Sequence, residues 1–171
     1  MLFRSIAGVD ERLGCVYFIA SPDNPTQRYL YRASLKGNGD VTRVSPADQP
    51  GTHSYDVSPD GRWAFHTYSR FGQPPVADLV ELPGHSVVRV LAGNSELQKK
   101  VSALKTSPHE FFRISISNCP PLDAWCIKPP DFDPARKYPL LLHVYGEPAG
   151  SIVTDKWDGN TFLWHRLLAQ R

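Results

Sequence analysis

The sequence has little cysteine. Cys15, Cys119 and Cys126 are odd in number, and none belongs to a Cys-x-x-Cys pair. This argues against a disulfide framework and a zinc knuckle, and we expect buried, inert thiols. No segment approaches the roughly 20 apolar residues of a membrane span, and residues 1–7 hold no apolar stretch long enough for a signal peptide. The sequence therefore indicates no compartment, and any export signal of a longer parent protein is expected upstream.

An excess of charge of one sign is also missing, because 19 basic residues face 17 acidic ones. No run of Lys or Arg could track a phosphate backbone, which argues against nucleic acid as a partner. Apolar residues make up 41% of the 171 residues. That proportion is enough for the core of one ordinary domain, or for parts of two.

Two catalytic signatures are absent from the sequence. There is no Gly-x-Ser-x-Gly elbow, since residues 84–88 and 93–97 each lack the second glycine, and we interpret both strings as hairpin and helix-cap residues. There is no His-Glu-x-x-His, and the histidine spacing gives no convergent set of metal ligands. We expect no metal, no cofactor, and structural or surface roles for the six histidines, which are His53, His66, His85, His109, His143 and His165.

The sequence does contain an internal repeat. At a shift of 48 residues, Val9, Cys15, Val16 and Tyr17 fall on Val57, Trp63, Ala64 and Phe65. This period is typical of four-stranded propeller blades, and the second unit predicts strands at residues 53–57, 62–69, 76–82 and 86–91. Because a closed propeller needs about four to eight blades, we expect further blades before residue 1.

The pattern changes after Leu91. We predict a helix capped by Asn94, strands at residues 111–117, 122–128 and 140–145, and a helix at residues 161–171. An apolar strand followed by an amphipathic helix begins a crossover unit, whose next parallel strand would cover the helix. The expected fold class is therefore mostly β, with two incomplete domains that meet between about Leu91 and Glu110.

Several segments carry a family resemblance. In order, they are Ser58-Pro59-Asp60-Gly61, Leu122-Asp123-Ala124-Trp125, Lys128-Pro129-Pro130, Lys137-Tyr138-Pro139 and His143-Val144-Tyr145-Gly146-Glu147-Pro148. Together they resemble bacterial serine peptidases of the dipeptidyl peptidase IV subfamily, within the prolyl oligopeptidase superfamily. The resemblance implies that residues 1–105 are the last blades of a β-propeller. It implies that residues 106–171 are the truncated start of an α/β-hydrolase domain.

The resemblance also implies an activity for a longer parent protein, the release of N-terminal dipeptides from a peptide substrate, with post-proline preference. Tyr145 matches the tyrosine whose hydroxyl forms part of the oxyanion hole in this subfamily. The Ser-Asp-His triad and the glutamates that hold the substrate amino terminus are not found here, so we expect the chain alone to be inactive. Family analogy is compatible with a homodimeric parent in the periplasm or outside the cell.

Two other hypotheses remain. The chain could belong to a non-catalytic propeller that presents its loops to a peptide, or to a hydrolase-like protein that has lost its triad. Among the loop acids, Glu147 would oppose a developing oxyanion electrostatically, so we expect it to shape the loop. Asp155 and Asp158 are interpreted as loop acids near a helix start.

Overall fold

The computed structural model describes residues 3–37, 39–105, 107–144 and 151–171. The first four-stranded sheet consists of β1 (Phe3–Asp10), β2 (Cys15–Ala20), β3 (Tyr29–Ser34) and β4 (Thr42–Arg43), and the second of β5 (Thr52–Val57), β6 (Trp63–Arg70), β7 (Gln73–Glu81) and β8 (Ser86–Ala92). Helix α1 (Ser95–Ser102), the hairpin of β9 (His109–Ile114) and β10 (Leu122–Ile127), and helix α2 (Gly159–Leu168) follow. The structure is thus mostly β, as expected.

The two sheets repeat the same topology. Each is a meander of four antiparallel strands in sequence order. Val9 pairs with Val16 in the first sheet, and Val57 pairs with Ala64 in the second, which are the positions that a shift of 48 residues superimposes. The register of the strands therefore confirms the repeat as two equivalent four-stranded units.

The turn between β5 and β6 shows how the sequence sets this register. The Ser58 hydroxyl donates to Asp60 Oδ1 over 2.6 Å, and the Trp63 N–H donates to Ser58 Oγ over 3.0 Å. Gly61 has φ +69°, and a Cβ there would lie 2.5 Å from the Asp10 Cβ atom. Only glycine combines this backbone conformation with so close an approach to β1.

The two sheets pack face to face. Their shared core contains Cys15, Tyr17, Leu30 and Val44 from the first sheet, and Ala64, Val80 and Leu82 from the second. Leu30 and Val80 are fully buried, and burial of such side chains stabilises a fold by about 1.5 to 3 kcal/mol each. Backbone contact is close as well, because a Cβ on Gly8 would lie 2.9 Å from the Val57 side chain.

Burial does not follow the repeat, however. Tyr17 is fully buried, whereas its repeat equivalent Phe65 is 57% exposed. The side of the first sheet that carries Tyr17 is covered by the second sheet. Among the described residues, Phe65 belongs to none of the buried clusters.

The C-terminal elements depart from expectation in two places. Residues 140–144 form no strand, so the strand predicted there is wrong over these residues; Leu140 is 88% exposed and pairs with no described strand. Asn94 precedes α1, but its side chain makes no cap hydrogen bond and instead donates to the Pro75 carbonyl. All ladders between the named strands are antiparallel, so the α/β-hydrolase part of the expected fold stays a prediction.

The cysteines also differ from expectation. Cys15 is buried between the sheets, but Cys119 is exposed and Cys126 is only partly buried. The expectation of a buried thiol is wrong for Cys119, because it lies in the turn that joins β9 to β10. Within the described ranges, no helix is both long enough and apolar enough to cross a membrane.

Candidate functional site at the junction of the second sheet and the C-terminal elements

The turn between β6 and β7 is the centre of this junction. The Phe71 ring lies 5.1 Å from the Phe162 ring of α2 and 5.2 Å from the Trp125 ring of β10, measured between centroids. It also contacts Phe111 of β9. Aromatic pairs at these distances add about 0.5 to 1.5 kcal/mol each beyond the area that they bury. The second sheet is thereby joined to α2 and to the β9–β10 hairpin.

Asp155 makes the polar half of the junction. Its carboxylate accepts from the Phe71 backbone N–H over 2.8 Å and from Gln27 Nε2 over 2.9 Å. Its own backbone N–H donates to the Thr26 carbonyl over 2.7 Å, and its carbonyl accepts from the Thr52 hydroxyl over 2.8 Å. One residue of the segment before α2 is therefore bonded to both sheets.

Gln27 carries this network toward the space between the sheets. While its amide nitrogen donates to Asp155, its Oε1 accepts from the Tyr29 hydroxyl over 2.6 Å. The Tyr29 ring lies 5.5 Å from the His53 ring. The junction is thus continuous with a buried group of histidines on β5 and β6.

The hydrogen bonds of these histidines fix their tautomers. His53 Nε2 lies 2.9 Å from the Gln49 carbonyl oxygen, which can only accept, so this nitrogen carries the proton. Neutral His53 then accepts at Nδ1 from His66 Nε2, 2.9 Å away. His66 Nδ1 is left buried without a hydrogen-bond partner, 3.8 Å from Asp78 Oδ2.

Burial governs the charge of this group. Desolvation lowers the pKa of His53 to about 4 and that of His66 to about 3. It also lowers the pKa of His85, whose Nε2 lies 2.8 Å from the Tyr55 hydroxyl. These three histidines are neutral at pH 7. No set of three or more metal-binding side chains is assembled anywhere in the described part of the chain.

The predicted site residues Tyr145 and Glu147 lie outside the described residues. The chain leads toward them past α2, since the His143 and His165 rings are 5.9 Å apart. His165 in turn lies 5.3 Å from Trp125, a member of the aromatic cluster around Phe71. Burial, and then the proximity of His143, lowers the pKa of His165.

Other residues singled out in the sequence have ordinary structural places. Ser86 begins β8 and Ser95 begins α1, in agreement with their interpretation as hairpin and helix-cap residues. Asp158 occupies the N-cap position of α2 without a side-chain cap hydrogen bond. Sequence reasoning missed the roles of Phe71 and Asp155. These two residues bond to each other although they lie 84 residues apart along the chain, so no local pattern could reveal the contact.

Comparison with known proteins places these features in a wider context. Residues 2–75 match the family described as the dipeptidyl peptidase IV N-terminal region. The chain is 33% identical over 152 residues to a probable dipeptidyl-aminopeptidase B of Emericella nidulans, an alignment that covers 88% of the chain and 16% of that protein. The chain is also 30% identical to a probable dipeptidyl-aminopeptidase B of Ajellomyces capsulatus. That alignment covers 93% of the chain and 17% of the Ajellomyces protein.

Solved structures show the same relationship. The crystal structure of Porphyromonas gingivalis dipeptidyl peptidase 4 matches 94% of the chain with a TM-score of 0.80 at 29% identity, over 22% of that protein. A putative dipeptidyl aminopeptidase IV from Bacteroides ovatus matches 99% of the chain with a TM-score of 0.75 at 25% identity, over 23% of its length. The likeness thus extends across both sheets and the C-terminal elements.

Proposed function

Because residues 2–75 match the family described as the dipeptidyl peptidase IV N-terminal region, we propose that the chain is a segment of a serine-type exopeptidase. The longer parent protein releases dipeptides from the N-termini of peptide substrates, with preference for proline at the second position. The observation that carries this proposal is the likeness to a dipeptidyl peptidase 4 over 94% of the chain.

The proposal divides the chain into two parts. Residues 1–105 are the last blades of a β-propeller, and residues 106–171 begin the α/β-hydrolase domain. The repeated four-stranded sheets support the first assignment. The order of the Lys-Pro-Pro, Tyr-Pro and Val-Tyr-Gly segments supports the second. In this arrangement Asp155 ties the start of the catalytic domain to the propeller.

Within this proposal, Tyr145 is an oxyanion donor. Its phenol would donate a hydrogen bond to the negatively charged oxygen of the tetrahedral intermediate, together with a backbone N–H beside the nucleophile. Such a donor must be held rigidly to be effective. The contact between His143 and His165 supports the idea that the chain just before Tyr145 is positioned by α2.

The chain supplies no nucleophile on a Gly-x-Ser-x-Gly elbow. Without nucleophile and base, a single oxyanion donor leaves only a small fraction of the catalytic machinery. We therefore propose that the chain alone is inactive, and that the Ser, Asp and His residues lie further along the parent.

The test compares the purified chain with the full-length parent on dipeptide-proline chromogenic substrates. The parent should release the dye at a rate that a serine-directed phosphonate abolishes, whereas the chain should give no turnover above buffer. A parent that binds such peptides without cleaving them would instead support the peptide-binding propeller. Turnover that co-purifies with the chain through successive purification steps would overturn the account of the missing triad.

A further inference from the structure

A small cavity of about 120 Å³ lies where the second sheet, the β9–β10 hairpin and α2 meet. Four of its seven lining residues are apolar or glycine, and the three polar ones come from residue 107, from β9 and from α2. The lining residues are Phe71, Gly72, Ser107, His109, Ile127, Phe162 and Arg166. A volume of this size would hold a few water molecules or one small ion.

Two lining residues present buried polar atoms that have no hydrogen-bond partner, Ser107 Oγ and Arg166 Nε. Ser107 is only 5% exposed. Arg166 Nε carries a proton at all ordinary pH values, so it is a donor without an acceptor. Buried donors are satisfied in nearly all folded proteins, which indicates that something accepts hydrogen bonds here.

The charge of the cavity is also unbalanced. Arg166 donates through Nη2 to the Lys105 carbonyl, but it forms no ion pair with any described carboxylate. No Asp or Glu lines the cavity. Burial lowers the pKa of Arg166, as expected for a cation that is partly removed from water without a counter-ion.

We propose that this cavity is a binding site for one small monovalent anion, a chloride ion or a carboxylate of formate size. Arg166 Nε and Ser107 Oγ donate hydrogen bonds to it, and the guanidinium supplies the opposite charge. The apolar walls formed by Phe71, Ile127 and Phe162 exclude larger hydrated anions such as sulfate. The bound anion would strengthen the contact of α2 with the second sheet.

A larger groove adjoins the cavity. This groove has a volume of about 540 Å³ and shares Gly72 and Arg166 with the cavity. Lys99 of α1 also lines the groove, so a second positive charge lies in the groove beside the cavity.

The line width of the chloride-35 NMR signal, measured with the purified protein, tests the site. Gluconate replaces chloride in the titration so that the ionic strength stays constant. We expect saturable broadening that formate reverses by competition and sulfate does not. Arg166→Gln should weaken binding more than tenfold. Ser107→Ala should weaken it several-fold, because one hydrogen bond to a charged group is lost. Arg113→Gln is the matched control, an exposed arginine that pairs with Asp123 instead, and it should bind as the wild type does.

Two further measurements separate binding from misfolding. Arg166→Lys keeps the positive charge but lacks the Nε donor, and its far-ultraviolet circular dichroism should match the wild type while chloride binding falls. A crystal grown in bromide should show anomalous density within hydrogen-bond distance of Ser107 Oγ and Arg166 Nε. Equal broadening in wild type and Arg166→Gln, or water density alone at this position, would overturn the proposal. Neither result depends on whether the parent is a peptidase.

Discussion

The backbone N–H of Phe71 donates a hydrogen bond of 2.8 Å to the carboxylate of Asp155, 84 residues further along the chain. Phe71 belongs to the turn between β6 and β7, whereas Asp155 precedes α2. The same turn places the Phe71 ring in the aromatic cluster with Phe162 and Trp125. The second sheet and the C-terminal elements are thus held together by polar and apolar contacts at one point.

Asp155→Asn should destabilise the protein by about 1 to 3 kcal/mol, because an amide cannot accept from both Gln27 and Phe71 as the carboxylate does. Its NH2 group would face one of these donors. Urea unfolding followed by tryptophan fluorescence measures the change. The matched control is Asp158→Asn, since Asp158 is exposed and its nearest cation, Lys156, is 3.9 Å away. Equal stability of the two variants would contradict the role assigned to Asp155.

The buried histidines predict a pH dependence of stability. Since the folded pKa of His53 is about 4 and that of His66 about 3, the unfolded chain binds protons at these residues more readily than the folded protein does. Their contribution to stability is therefore complete above pH 6.5, which is about the pKa of histidine in the unfolded chain. This contribution falls as the pH drops toward the pKa values of the folded protein, by at most about 1.4 kcal/mol per pH unit for each proton.

His66→Gln is the variant that tests this pH dependence. The glutamine amide can still donate to His53 Nδ1, but it does not titrate. The loss of unfolding free energy between pH 7 and pH 5 should therefore be smaller than in the wild type. His109→Gln, at an exposed position outside this group, should keep the wild-type loss, and both variants retain Asp78, whose pKa burial raises. An unchanged loss in His66→Gln would show that His66 does not carry the effect.

Local patterns were sufficient to predict the sheets. The repeat of a four-stranded unit predicted a strand at residues 86–91, and β8 runs Ser86–Ala92. Turn residues such as Asp60 and Gly61 fixed the boundaries, because their preferences act over a few residues. The helix predicted at residues 161–171 corresponds to α2, which begins two residues earlier at Gly159.

Properties that depend on distant partners could not be predicted in this way. The repeat gives Tyr17 and Phe65 equivalent positions, yet one is buried and the other is exposed, because burial depends on which sheet covers each face. The apolar run at residues 140–144 suggested a strand, but a strand needs a partner for its backbone hydrogen bonds. The contact between Phe71 and Asp155 joins residues too far apart for any periodicity to connect them.

The open side of the second sheet predicts self-association of the isolated chain. β8 is an edge strand, and its residues Val87 and Val90 are 55% and 60% exposed, while Phe65 on β6 is 57% exposed. Exposed apolar edges favour pairing with another chain. Sedimentation velocity at micromolar concentration should show dimers or larger species.

A charge on this edge should reduce the association, so Val90→Lys is expected to increase the monomer fraction. Leu35→Lys is the control, because Leu35 is 53% exposed but lies in a turn away from the open sheet edge. A monodisperse wild-type monomer with a cooperative melt would contradict the prediction. It would indicate that the two sheets and the C-terminal elements form a self-sufficient core.

Tyr145→Phe in the full-length parent tests the proposed oxyanion donor. The substitution keeps the aromatic ring and removes only the hydroxyl, so the thermal stability should change little while the transition state loses one hydrogen bond. Loss of one such donor typically lowers kcat by about 10²- to 10³-fold, or roughly 2.7 to 4 kcal/mol, with a much smaller effect on KM. Tyr138→Phe is the matched control, because the Tyr138 hydroxyl accepts from the backbone N–H of Asp133 over 3.0 Å in a loop, and its loss should leave kcat near the parent value. If Tyr145→Phe stays within about twofold of the parent in kcat at unchanged stability, Tyr145 is not an oxyanion donor, and the peptidase proposal then has no catalytic residue in this chain.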